Sequence, residues 1–290
     1  MAIGAPGTEE WANALEDRLD VIEGRAMLHL FGKRADVAVV LGSGLGAIEG
    51  MLDVRARVPY NEIGSLPTTS VEGHSGVLFL ANVSNVPVVF FSGRFHLYEG
   101  FSFEEVTSPV RLAREIGCRS VILTQAAGSL RKDLPPSNWF LPDDVVSFPA
   151  LEPEAISAKY HPGERPPRSR SNDAKGRLID EGLLERLKAA VTNAGAEFYE
   201  GTIMWNIGPA YETGREAEVA RISGASAVTM SSYPELIAAG RLRMKAALLS
   251  WISNYTSNVS LEKTNHRDVL EIGIKGARML KVVLEGFFES

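Results

Sequence analysis

The chain has 290 residues, 45% of them apolar, and a formal net charge of −6. That length permits one large domain or two ordinary ones around a sizeable core, and an acidic balance without any Lys/Arg-rich block argues against a nucleic-acid footprint. The single cysteine, Cys118, excludes an intrachain disulfide and a cysteine metal cluster and suits a reducing cytoplasm; no run approaches the ~20 apolar residues of a membrane span, and the acidic opening "MAIGAPGTEEWANALEDRLD" is not read as a secretory signal.

Residues 9–30 read as a helix, with Thr8 placed to cap it and Trp11, Leu15, Leu19, Ile22 and Ala26 at helical spacing. Short strand-like runs follow: "VAVVL" (37–41), "VLFLA" (77–81), "VPVVFF" (86–91), "SVILT" (120–124), "FYEGTIMWNI" (198–207), "SAVTM" (226–230) and "AALLSWIS" (246–253). Helical patterns lie among them at 103–117, 178–195, 215–224 and 266–288. Strands alternating with helices predict an α/β fold: a single domain over 1–290 with a central mixed, largely parallel sheet flanked by helices. The segment 150–176, rich in Pro, Ser and charge, is predicted to be a long surface loop, because the sheet pattern resumes after it.

Several strand ends carry chemistry. "VVLGSGLGAIEG" (39–50) is a strand entering a Gly-rich turn whose N–H groups, with the Ser43 hydroxyl, could cradle a phosphate; a plain tight turn explains it as well. "TTSVEGHSG" (68–76) sets His74 in a loop. "GRFHLYEG" (93–100) follows an apolar run. In an extended chain Arg94, His96 and Tyr98 share a face, joining a permanent cation, a titratable donor and a flat ring. "LTQAAGSL" (123–130) is a strand of small residues, where backbone such as Ala126 approaches a ligand closely. "NIGPAYETGREAE" (206–218) leaves Tyr211 and Glu212 before a helix; "VTMSSYPEL" (228–236) ends a strand with Met230 and Ser231 before a Pro-led helix; "LLSWISNYTSN" (248–258) ends one with Ser253 and Asn254. Together these ends are expected to open on one edge of a parallel sheet, where ligands of α/β proteins bind. The inventory suits a phosphate plus a flat heterocycle. It offers no Ser–His–Asp order, metal-ligand spacing or activated thiol.

In order and rough spacing, "LGSGLG", "VEGHSG", "GRFHLYEG", "TQAAGSL", "GPAYET", "MSSYPE" and "SN" followed by "HRDVL" resemble the trimeric purine nucleoside phosphorylase family, over about 36–135 and 196–285. The resemblance implies phosphate-dependent cleavage of the N-glycosidic bond of purine nucleosides, of 6-oxopurines in particular, to a free base and a pentose 1-phosphate. It implies phosphate binding by Ser43, His74, Arg94, His96, the backbone at Ala126, and Ser231. Tyr98, Met230 and His266 would surround the sugar; Tyr211, Glu212 and Asn254 would bind the base, with His96, Glu212 and Asn254 the catalytic set. No metal or organic cofactor is implied, only phosphate as co-substrate, and the assembly implied is a cytoplasmic homotrimer. Gln125, Ser129, Tyr255 and the 140–176 segment depart from the family's pattern. The competing readings are a 5′-methylthio-nucleoside phosphorylase and a catalytically weak homologue that binds a purine or sugar phosphate.

Overall fold

The computed structural model describes residues 35–64, 66–67, 75–147, 178–257, 259–260 and 266–289. The helix predicted over 9–30, the loop predicted over 150–176, and His74 lie outside the described residues. The described strands are β1 (Val37–Leu41), β2 (Asp53–Pro59), β3 (Val77–Val83), β4 (Val86–Ser92), β5 (Ser120–Ser129), β6 (Trp139–Ser147), β7 (Phe198–Trp205), β8 (Ala225–Thr229) and β9 (Lys245–Tyr255). The α-helices are α1 (Phe103–Val106), α2 (Ser108–Ile116), α3 (Glu181–Asn193), α4 (Gly214–Ile222), α5 (Tyr233–Arg241) and α6 (His266–Glu289).

The strands form one sheet in the order β2-β3-β4-β1-β5-β8-β7-β6-β9, and β9 returns to pair with β5. Five strands therefore close into a ring, with β2, β3, β4 and β1 extending from it. β1 is parallel to β4 and β5, β5 to β9, and β7 to β6 and β8, whereas the β2–β3, β3–β4, β5–β8 and β6–β9 pairs are antiparallel. The α/β fold with a mixed sheet is as the sequence implied. The single parallel edge is not: the antiparallel β5–β8 contact makes the strand ends converge around the ring instead.

β1 is apolar without alternation because it is buried on both faces: Ala38 through Leu41 are at most 1% exposed. β2 is absent from the sequence reading because it is a charged edge. Arg55 and Arg57 face out while Val54, Ala56 and Val58 are half-buried, and charge along an edge discourages further pairing. β6 is absent because "WFLPDDVVS" carries Pro142 and two aspartates; its ladder with β7 shifts between Pro142 and Asp144, the kind of irregularity that accommodates a proline. The helical pattern at 103–117 divides at Thr107. Pro109 has no N–H to give Glu105, and the Ser108 hydroxyl donates to that carbonyl instead at 2.7 Å.

Helix α6 closes the core over the turn that follows β1. A Cβ on Gly273 would lie 2.6 Å from the Ser43 carbonyl oxygen and 2.8 Å from Gly44 Cα, so the helix approaches this turn at a distance only glycine allows. In an ordinary helix interior Gly→Ala stabilises by up to ~1 kcal/mol. Gly286→Ala, whose Cβ would meet only the Ala190 backbone at 3.8 Å, should show that gain. Gly273→Ala should instead lose about 1–3 kcal/mol by overpacking. Urea unfolding of the two variants should move the midpoint in opposite directions.

Candidate active site

The site begins at the turn after β1. Gly42 N–H donates to Thr124 Oγ1 at 3.1 Å, and that hydroxyl donates to the Val40 carbonyl at 3.0 Å. A side chain at 42 is impossible, since its Cβ would sit 2.7 Å from Gln125 Cα. Gly44 then turns with a φ of 77°, leaving Ser43 at the mouth of the turn.

After β4 the chain does not continue extended, so the shared face expected for Arg94, His96 and Tyr98 does not form in that way. Gly93 has a φ of 125°, and Leu97–Glu99 is a turn of 3-10 helix. Arg94 dives inward and is 2% exposed. Its Nε donates to Glu235 Oε2 and its Nη1 to the Thr124 carbonyl, both at 2.8 Å. Glu235, on the first turn of α5, is fully buried. Burial pushes its carboxyl up, and the Arg94 guanidinium pulls it back toward ionisation. Tyr60 donates its hydroxyl to the Gly93 carbonyl at 3.0 Å, and burial pushes that phenol well up.

His96 is held at both ring nitrogens. Nδ1 lies 2.8 Å from Glu99 Oε1, which also accepts the His96 backbone N–H at 2.9 Å. Nε2 lies 3.1 Å from Ser231 Oγ. The Glu99 carboxylate can only accept, so Nδ1 donates to it, and Nε2 faces Ser231, as an acceptor in the neutral ring and as a donor in the protonated one. Tyr98 stacks on the imidazole at 4.7 Å and 16°; burial first, then the Glu99 charge, pushes its phenol up to about 12.

A buried polar chain reaches Ser231 from the ring of strands. Gln125 donates to Ser250 Oγ at 3.0 Å and accepts from Thr229 Oγ1 at 3.1 Å. Thr229 Oγ1 in turn accepts the Ser231 backbone N–H at 3.2 Å. At the end of β9, Asn254 accepts from Ser253 Oγ at 2.7 Å and donates Nδ2 to the Tyr255 carbonyl at 3.0 Å. Glu212 accepts at Oε1 from Asn206 Nδ2 at 2.5 Å.

These elements surround one cleft. Ser43, Arg94, His96, Tyr98, Ala126, Tyr211, Glu212, Met230, Ser231 and Asn254 all line it. His266 opens α6; its side chain is not described, but Val269, one turn on, reaches the cleft. Sequence reasoning missed Thr124, Thr229, Glu235, Glu99 and Asn206. A buried arginine demands an anion, but nothing in the sequence says that the anion is Glu235. Among the described residues no group of three or more His, Cys, Asp or Glu is placed to hold a metal ion.

Residues 36–289 match the sequence model of the phosphorylase superfamily. The chain belongs to the phosphorylase superfamily. Within it, the chain is 32% identical over 241 residues to purine nucleoside phosphorylase 1 of Geobacillus stearothermophilus, covering 83% of this chain and 86% of that protein. It is 32% identical over 268 residues to the purine nucleoside phosphorylase of Rattus norvegicus, covering 89% of each. The crystal structure of the Schistosoma purine nucleoside phosphorylase in complex with hypoxanthine superposes with a TM-score of 0.80 at 26% identity, covering 94% of this chain and 97% of that one.

The buried pair generates a stability prediction. Removing one partner of a buried ion pair costs about 3–5 kcal/mol, whereas replacing both by apolar residues is often neutral. Glu235→Leu should therefore unfold at much lower denaturant than the parent, and adding Arg94→Met should recover most of the loss. A double variant no more stable than Glu235→Leu alone would mean that the pair does not act as a unit.

Proposed function

We infer that the protein cleaves the N-glycosidic bond of purine nucleosides with inorganic phosphate, releasing the base and a pentose 1-phosphate. The observation that carries this reading is a single cleft lined both by anion donors, Ser43, Arg94, His96 and Ser231, and by an acceptor and a donor for a purine edge, Glu212 and Asn254. The relatives named above, all purine nucleoside phosphorylases, support it.

In this reading Ser43, His74, Arg94, His96, the backbone at Ala126, and Ser231 hold phosphate. Tyr98, Met230 and His266 contact the sugar, and Tyr211 packs on the base. As the C1′–N9 bond stretches, the sugar becomes oxocarbenium-like and the base gains negative charge. The phosphate dianion stabilises the cation, then bonds to C1′ as the bonding pair leaves with the base. The proton of hydrogen phosphate ends on the base. Asn254 uses its second amide hydrogen to donate to N7, where charge develops, and Glu212 accepts from N1–H of a 6-oxopurine; preorganised donors at a developing charge are worth about 3–4 kcal/mol each. The reading requires no metal or organic cofactor. It extends to a cytoplasmic homotrimer: the single cysteine suits a reducing compartment, and no helix among the described residues is long and apolar enough to cross a membrane.

Inosine is expected to release hypoxanthine only when phosphate is supplied, which an assay for the free base checks directly. Arg94→Ala should raise the phosphate KM far more than the nucleoside KM, and Arg94→Lys should restore only part of the loss, because it keeps the charge without the planar fork. Glu212→Gln should lower kcat/KM for inosine at least about tenfold, since a hydrogen bond to a charged acceptor is worth roughly 1.5–3 kcal/mol. An Arg94→Ala enzyme with both KM values unchanged would remove that residue from the phosphate site.

A further inference from the structure

Glu212 is pinned from several directions. Ser257 Oγ donates to its backbone carbonyl at 3.0 Å. The next residue, Thr213, is the N-cap of α4, in a capping box with Glu216. These contacts fix the main chain but leave the carboxylate free to rotate. Asn206 supplies the contact that sets it. Its own backbone N–H is tied to the Thr229 carbonyl at 2.8 Å, at the end of β7, and its side-chain Nδ2 reaches Glu212 Oε1 at 2.5 Å. Both side chains are half-buried, where a hydrogen bond to a charged group counts for more than it does in water.

An amide N–H only donates. It occupies Oε1, so Oε2 is the oxygen presented to a ligand. An ionised carboxylate accepts N–H and repels a lone pair. The N1 position of a 6-oxopurine is an N–H, and that of a 6-aminopurine is a lone pair. We propose that Asn206 is the positioning residue that sets base selectivity, holding the Glu212 carboxylate as an oriented acceptor that takes 6-oxopurines over 6-aminopurines. This rests on the phosphorolysis reading above and adds to it the residue on which the choice of base turns.

Two variants separate this role from that of a simple loop staple. Asn206→Leu keeps the volume and removes the donor. Asn206→Asp keeps the shape and sets a second carboxylate against Glu212. Two carboxylates in contact share a proton, and a protonated Glu212 becomes a donor to N1 of a 6-aminopurine. The measurement is kcat/KM for inosine and for adenosine at saturating phosphate near neutral pH, with the phosphate KM and the melting temperature alongside. Asn206→Leu should lower the inosine-to-adenosine ratio at least about tenfold, the low end of a lost charge-assisted bond. Asn206→Asp should lower it further, with the phosphate KM unchanged in both. An unchanged ratio in both variants, or an equal loss on both nucleosides together with a lowered melting temperature, overturns the proposal. If the parent protein releases base from neither nucleoside with phosphate present, the phosphorolysis reading fails instead. Calorimetric titration of hypoxanthine and adenine into the parent and Asn206→Leu then decides the role of Asn206 separately: selective binding that the substitution abolishes supports it, and equal preference in both proteins ends it.

Discussion

Arg94 carries a full positive charge to a place that is 2% exposed, and the fully buried Glu235 meets it at 2.8 Å. Neither charge is tolerable there alone, since an unpaired buried ion costs several kcal/mol. The pair therefore dictates where the end of β4 and the first turn of α5 must stand relative to each other. Thr124 extends the constraint to β5 and β1. Its carbonyl takes the second arm of Arg94, and its hydroxyl takes the Gly42 N–H and donates to Val40. One residue of β5 thus fixes both the guanidinium and the glycine turn, and Ser43 and Arg94 cannot move independently.

Its neighbour Gln125 governs the other side. Successive residues of a strand point to opposite faces, so where the Thr124 side chain addresses β1, the Gln125 side chain addresses β8 and β9. It joins Ser250 to Thr229, and Thr229 takes the backbone N–H of Ser231, whose hydroxyl meets His96. Every member of this chain from Gln125 to Thr229 is buried, and a satisfied buried polar network specifies one arrangement because its alternatives leave polar groups unpaired. The closed ring of strands is what makes this possible. The β5–β8 contact, through Gly128 and Val228, places Gln125 and Thr229 within reach of each other across an antiparallel crossing that an open parallel sheet would not provide.

The legibility of the fold in the sequence follows burial. β1, β4 and β5 are readable because a strand buried on both faces is an unbroken apolar run. β2 and β6 are not, because an edge strand wears charge and a bulged strand tolerates Pro142. Within the site, the residues that face the cleft were visible as polar groups at the ends of apolar runs: Ser43, Arg94, His96, Tyr98, Glu212 and Asn254. The residues behind them were not. Glu235 is 141 positions from Arg94, and as an acidic residue in a helix's first turn it reads as a dipole partner. Asn206 is only six positions from Glu212, yet its role depends on how the intervening turn folds back. Spacing announces groups that meet a ligand; it is silent about groups that meet each other.

The same pairing shapes the electrostatics of the proposed phosphate site. The two described basic side chains that would face the dianion are each backed by a carboxylate: Arg94 by Glu235, His96 by Glu99. A bare arginine and imidazolium in so buried a place would hold phosphate by net charge. Backed by carboxylates, they present donors of fixed direction with little net charge, so recognition rests on hydrogen-bond geometry. That arrangement suits a co-substrate that must also be given up. The phosphate has to bond to C1′ through one of its oxygens and leave as a sugar ester, and a site of large positive charge would hold ground state and transition state alike, which lowers KM without raising kcat. Directional donors discriminate by shape and position instead. The acidic chain, with its net charge of −6, is thereby compatible with an anionic substrate: attraction need not come from the overall field when the contacts are set one by one from the buried side.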